Sequence, residues 1–295
     1  MTRAALAALL VAGALAAPPA AQAVPASGTL VAVRGHGDDA DLVRVAAAGG
    51  PVRVITGGRG IDGEPSWSPD GRRIAFSRTT DGGRRWEIHA VTADGRRIVR
   101  VTRAGGFALD PAWSPDGRLI AFAGDGGRIE STGCSSAVWV VRPDGTGLRR
   151  LLRDAYAPAW SPEGRRLAVT RDDARGRPRV LIAPAAGGRA RPLTAGAAPS
   201  WSPDGRRLVV ARDGDLYLVD ADGTGAYRLT RTPWAELDPA WSPDGRWIAV
   251  YAVRHGRQDL YLVPAAGGPA RRITRSGPDA GMYAPAWRPE AGGPR

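Results

Sequence analysis

The chain has 295 residues, a formal net charge of +12 and 43% hydrophobic residues. Its 40 glycines fall far short of a collagen repeat, and the apolar share is too high for intrinsic disorder, so a substantial core is expected. One cysteine excludes an internal disulfide framework and zinc sites built from several thiolates. All 41 basic residues are arginine, which reflects coding bias more than chemistry.

Residues 1–23 have the layout of a secretory signal peptide. Arg3 precedes an apolar run over residues 4–17, followed by Pro18-Pro19 and the small-residue site Ala21-Gln22-Ala23. Cleavage is expected after Ala23. The run is shorter than the roughly 20 residues that span hydrocarbon, and no other long apolar run follows. The mature chain, residues 24–295, is expected to form one domain without a transmembrane segment.

That domain is built from a repeat. Trp-Ser-Pro-Asp-Gly stands at 67–71, 113–117, 201–205 and 241–245, with a Glu163 variant at 160–164 and a decayed copy, Trp287-Arg288-Pro289-Glu290. Successive tryptophans are 46, 47, 41, 40 and 46 residues apart. In the copy that begins near Asp238, Pro239-Ala240-Trp241 leads into Ser242-Pro243-Asp244-Gly245. There Pro presets the second turn position and Gly takes the conformation that returns the chain. The β-rich runs Trp247-Ile248-Ala249-Val250-Tyr251 and Leu260-Tyr261-Leu262-Val263 come next, then a Gly267-Gly268 turn and a fourth run ending at Thr274. Four short strands every 40–47 residues describe one blade of a β-propeller.

Residues 30–33, 42–46 and 52–55 supply three strands with no Trp-bearing strand before them, and residues 284–287 supply a lone first strand. Together they make one composite blade beside five complete ones. The expected fold is all-β: a six-bladed β-propeller of four-stranded antiparallel blades, closed by the N- and C-terminal strands, and monomeric.

The Pro-x-Trp-Ser-Pro-Asp-Gly-Arg string with an Ile-Ala-Phe-like strand after it resembles the TolB-like, WD-repeat-like propeller repeat family. The resemblance covers nearly all of residues 24–295. It implies a propeller similar to that of the periplasmic translocation protein TolB, which binds an outer-membrane lipoprotein. The α/β domain that precedes that propeller is not matched here. The repeat also precedes the hydrolase domain of prolyl-oligopeptidase-like peptidases, but this sequence carries no Gly-x-Ser-x-Gly element and no peptidase activity is expected.

The register of Trp67, Trp113, Trp160, Trp201, Trp241 and Trp287 marks them as wedges between neighbouring blades rather than a ligand cage. Arginines crowd the first and third turns of each blade, so the face that carries those turns should be basic and attract anionic polymers. On the opposite side, Glu64, Asp110 and Asp238 precede the proline of their copies, with Asp62, Glu236 and Asp279 close in sequence. These six acids are the candidate partner-binding residues. Converging oxygen ligands could hold calcium, yet no metal-ligand spacing is present, and no cofactor is expected. His36, His89, His255 and Cys134 form no catalytic constellation, so no catalytic residue is assigned. The expected role is an exported, non-enzymatic scaffold that binds a protein or an anionic envelope polymer. The alternative is a carbohydrate-binding or lyase-like propeller that uses a cation. Nucleic acid is not an expected partner, because no recognition motif is present.

Overall fold

The computed structural model describes residues 28–36, 39–103, 106–125, 136–277 and 280–290. The segment read as a signal peptide, Cys134 and Asp279 lie outside them. The described residues are strands and tight turns.

Chain order gives β1 (Thr29–His36), β2 (Asp39–Ala46) and β3 (Arg53–Val54), then β4 (Ile61–Trp67), β5 (Arg73–Thr79), β6 (Glu87–Thr92) and β7 (Ile98–Arg100). There follow β8 (Ala108–Trp113), β9 (Ile120–Gly124), β10 (Ala137–Val141), β11 (Arg149–Leu152), β12 (Tyr156–Trp160), β13 (Arg166–Asp172), β14 (Pro178–Pro184) and β15 (Arg191–Ala195). The last nine are β16 (Ala197–Trp201), β17 (Arg207–Arg212), β18 (Asp215–Asp220), β19 (Tyr227–Arg228), β20 (Ala235–Trp241), β21 (Trp247–Arg254), β22 (Arg257–Pro264), β23 (Arg271–Arg272) and β24 (Gly281–Trp287).

Strands β8–β11, β12–β15, β16–β19 and β20–β23 form four separate four-stranded antiparallel sheets. An eight-stranded sheet holds the rest, with β24-β1-β2-β3 and β4-β5-β6-β7 joined only by a single parallel bridge, Ala40 to Ile61. The first and last described strands meet inside it, since β24 pairs antiparallel with β1 from Leu30–Trp287 to Gly35–Gly281. The Trp-bearing strands touch in the succession β4–β8–β12–β16–β20–β24, and β24 touches β4 again.

The second strands are unbroken apolar runs, such as Ile74-Ala75-Phe76 and Leu167-Ala168-Val169, all buried. A strand covered on both faces reads this way. The core is accordingly a set of layers between sheets. Ala168, Val180 and Ile182 of one sheet, for example, pack with Trp201, Leu208 and Val210 of the next. Each of the six repeat tryptophans sits in such a layer. Trp67, Trp113, Trp201 and Trp241 are only 6–7% exposed, while Trp160 and Trp287 are half-buried.

The Ser-Pro-Asp-Gly turns owe their uniformity to side chains. The Ser68 hydroxyl donates to Asp70 Oδ1 at 2.6 Å and accepts the Arg73 amide at 2.9 Å, and Asp70 accepts the Arg72 amide at 3.1 Å. The same set recurs at Ser114, Ser202 and Ser242. Gly71, Gly117, Gly164, Gly205 and Gly245 sit at φ 63–72°, where glycine alone is free of a Cβ penalty. The opposite loops vary, from the two-residue Asp213-Gly214 to the stretch 80–86 and the segment that links Gly124 to Ala137.

Candidate functional site: a ring of left-handed residues with three carboxylates

Each Trp-bearing strand is irregular at the same place. Its register against the next strand shifts between Gly63 and Ser66, Leu109 and Ala112, Tyr156 and Ala159, Ala197 and Ser200, and Leu237 and Ala240. At each shift the residue before proline has positive φ: Glu64 at 42°, Asp110 at 52°, Ala157 at 46°, Ala198 at 49° and Asp238 at 46°, joined by Ala284 at 49° in β24. Proline keeps its predecessor out of the right-handed helical region, and the bulge carries it into the left-handed one. For a non-glycine residue this strain is on the order of 1 kcal/mol. Alanine occupies three of the six positions, so the strain belongs to the architecture. The choice of side chain is a separate matter.

At the other three positions the choice is a carboxylate, and the three gather. Burial, then the charges of Glu64 and Asp238, push Asp110 up to about 7, while the Ala157 amide beside it acts in the opposite direction. Burial and the charge of Glu64 push Asp238 up to about 6. Glu64 is also raised by burial, against the Ser77 hydroxyl and the Asp110 amide. The carboxyls of Glu64 and Asp110 thus each face the backbone of the next Trp-bearing strand. All three residues are half-buried, and Glu64 Oε2 is shut off from water without a hydrogen-bond partner. These acids lie within strands, not in the connections that lead into them.

Tyrosines share the space. Tyr251 is pushed up to about 12 by burial and by Asp238, and Tyr283 to about 12 by burial and by Glu64. Their rings meet edge-on at 6.3 Å. Tyr156 donates to Asp172 at 2.9 Å and also feels Asp110. Sequence reasoning missed these residues, though one signal was present: two of the alanine copies read Tyr156-Ala157 and Tyr283-Ala284.

The flanking acids fare differently. Asp62 is fully buried and holds Arg78 through two bonds of 2.6 and 2.9 Å. Glu236 is fully buried as well, raised chiefly by burial, with the Thr230 and Thr232 hydroxyls acting in the opposite direction. Neither is presented to a partner on the surface. Among the described residues, no three His, Cys, Asp or Glu side chains group closely enough to hold a metal ion. His89 lies half-buried on β6, lowered by burial and tilted against Phe76, and His255 occupies a tight turn at φ 50°.

A family model described as the TolB beta propeller domain matches residues 11–133, 38–176 and 144–292. The chain belongs to this family. Solved structures agree on the fold. TolB from Acinetobacter baumannii superposes with a TM-score of 0.75 at 19% identity, covering 89% of this chain and 67% of that one. The putative TolB from Agrobacterium tumefaciens gives 0.68 at 18%, covering 90% and 100%. Hydrazine synthase from Kuenenia stuttgartiensis gives 0.72 at 14%, covering 90% and 47%. So wide a range of functions on one fold leaves this propeller's role to its own residues. No curated protein shows significant sequence similarity to the chain.

The arginines of this TolB-type propeller do more than solvate turns. Arg73 lies over Trp113 of the next sheet at 4.9 Å, Arg166 over Trp201 at 4.6 Å, Arg207 over Trp241 at 5.7 Å and Arg288 over Trp67 at 5.4 Å. Others latch carbonyls across sheet junctions: Arg191 bonds Ala221 and Asp222, and Arg44 bonds Ala93. The expected allocation of charge between faces needs correction at two residues. Arg228 and Arg272, placed from sequence on the basic turns, instead reach back along the sheet to Asp215 and Asp259 at 2.5 and 2.6 Å. Arg177, Arg212, Arg254 and Arg257 line recesses among the variable loops, so that face is mixed rather than purely acidic.

Proposed function

We propose that this chain is an exported, non-catalytic binding scaffold: a six-bladed propeller, closed by its own ends, that grips a protein or an envelope polymer through its variable loops and central carboxylates. Six four-strand groups, a β1–β24 pairing and a cyclic succession of contacts support the blade count and the closure. The sequence of residues 1–23 supports export.

One observation carries the binding role. Three mutually repelling carboxyls are held half-buried where alanine serves the architecture equally well. Their charged forms lack compensation that a partner's lysines, arginines or amino terminus would supply. Irregular loops on a rigid frame surround them, the usual setting for recognition.

The test is affinity purification from the producing cell's own envelope. The E64Q/D110N/D238N variant should keep its fold and lose the co-purifying component, whereas R96Q/R149Q/R189Q should keep it. Equal capture by both variants would remove the carboxylates from the binding role. Sequencing of exported material should begin at Val24.

A further inference from the structure

The arginine–tryptophan stack recurs at four sheet junctions; at the Trp287 junction Trp247 stands in the arginine's place and packs in the same core layer, and at the Trp160 junction the missing stack leaves a defined space. Arg73, Arg166 and Arg207 all stand six residues after a repeat tryptophan and cover the tryptophan of the following sheet at 4.6–5.7 Å. In the copy that begins at Trp113 this position is Leu119. Leucine is shorter than arginine and carries no cation. Among the described residues no guanidinium lies over Trp160, the indole that Leu119 should cover. Trp160 is correspondingly half-buried, while its counterparts Trp113, Trp201 and Trp241 are buried.

The space left is a recess of about 1010 Å3, lined among others by Pro115, Asp116, Leu119, Trp160, Glu163 and Arg165. Its indole is fixed, because Trp160 Nε1 donates to the Ala112 carbonyl at 3.1 Å. Two carboxylates stand at its rim. Asp116 is bound to Ser114 and the Arg118 amide, and Glu163 to Arg166. Arg165 is the one cation in the lining.

We propose that this recess is a docking site for an arginine side chain presented by a protein partner. The occupant is argued from the molecule's own repeats: at four equivalent junctions the group seated on the indole is a guanidinium. A planar cation above tryptophan gains attraction from the ring's electrons, and arginine's fork can bond a carboxylate at the same time. The recess opens among the first and third turns, away from the central carboxylates, so it is independent of the site described above.

The experiment titrates N-acetyl-arginine-methylamide into the full chain labelled with 15N at tryptophan, with the Trp160 indole signal identified through W160F. A saturable shift of that signal is expected, with little change at Trp201, which Arg166 already covers. L119R should seat an internal guanidinium, move the Trp160 signal without ligand and weaken the response at least about tenfold. L119A, which widens the recess, should keep the response and guards against a folding defect in L119R. No saturable Trp160 shift in the unmodified chain, an equal response in L119R, or a response to N-acetylglucosamine but not to the arginine probe would each overturn the proposal.

Discussion

Asp110 shows how one side chain can write pH dependence into the whole molecule. Its carboxyl is pushed up to about 7, chiefly by burial, and that of Asp238 to about 6. A carboxyl raised on folding makes the native state the better proton binder. Stability is therefore full below the unfolded value near 4 and declines as pH rises towards 7. Calorimetry should give a higher Tm at pH 5 than at pH 8. Because the side chain keeps some contact with water, the effect of one group is discounted to about 1–2 kcal/mol. D110N should raise the Tm at pH 8 and flatten the profile. A Tm that rises from pH 5 to pH 8 and an unchanged profile in D110N would contradict this. Tryptophans offer a second comparison at this scale. Trp201→Ala empties a sealed layer and should cost about 3–5 kcal/mol in denaturant titrations. Trp160→Ala removes a half-buried ring and should cost less.

At the scale of strands, the closing pair carries the sharpest expectation. Without residues 281–295, β1 would present Leu30, Val31 and Val33 on an unpaired edge, and such edges invite association. Light scattering should show aggregation of the truncated chain, or calorimetry a lost cooperative transition; an unchanged midpoint would refute closure by β24. Strands and turns were largely legible beforehand, because Trp-Ser-Pro-Asp-Gly encodes its own hydrogen bonds and stands unchanged in four copies. The candidate site was legible only in part. Glu64, Asp110 and Asp238 stood out by their place before proline, but nothing in a residue string marks a left-handed φ or a neighbour's charge on another sheet. The arginine–tryptophan stacks were hidden for a similar reason, since each joins one copy to the next. Arg228 and Arg272 were misplaced because their strands are two residues long, so the side chain outreaches the element that carries it.

For the whole molecule the governing quantity is the arginine excess on the repeated turns. Arg96, with its side chain 87% exposed, and the exposed Arg149 and Arg189 belong to a diffuse field whose attraction is screened within about 8–10 Å at ordinary salt. The chain should bind heparin-agarose, and R96Q/R149Q/R189Q should elute at lower salt. Retention unchanged by those three substitutions would mean that the field lies elsewhere.

The pairing of β1 with β24 also sets an order in time. Synthesis delivers Leu30 first and its partner Trp287 some 250 residues later. Until then β1 has a vacant side that no other part of the chain fills. Every internal sheet can assemble as it emerges, but the seam must wait for β24. The nascent chain is therefore adhesive along β1 for the whole interval between the two strands. A permuted gene opened between β3 and β4 at Gly57-Gly58, with residues 290 and 28 joined by a short linker, would place β24, β1, β2 and β3 in one continuous run. It should refold faster and with less aggregate, to the same native structure.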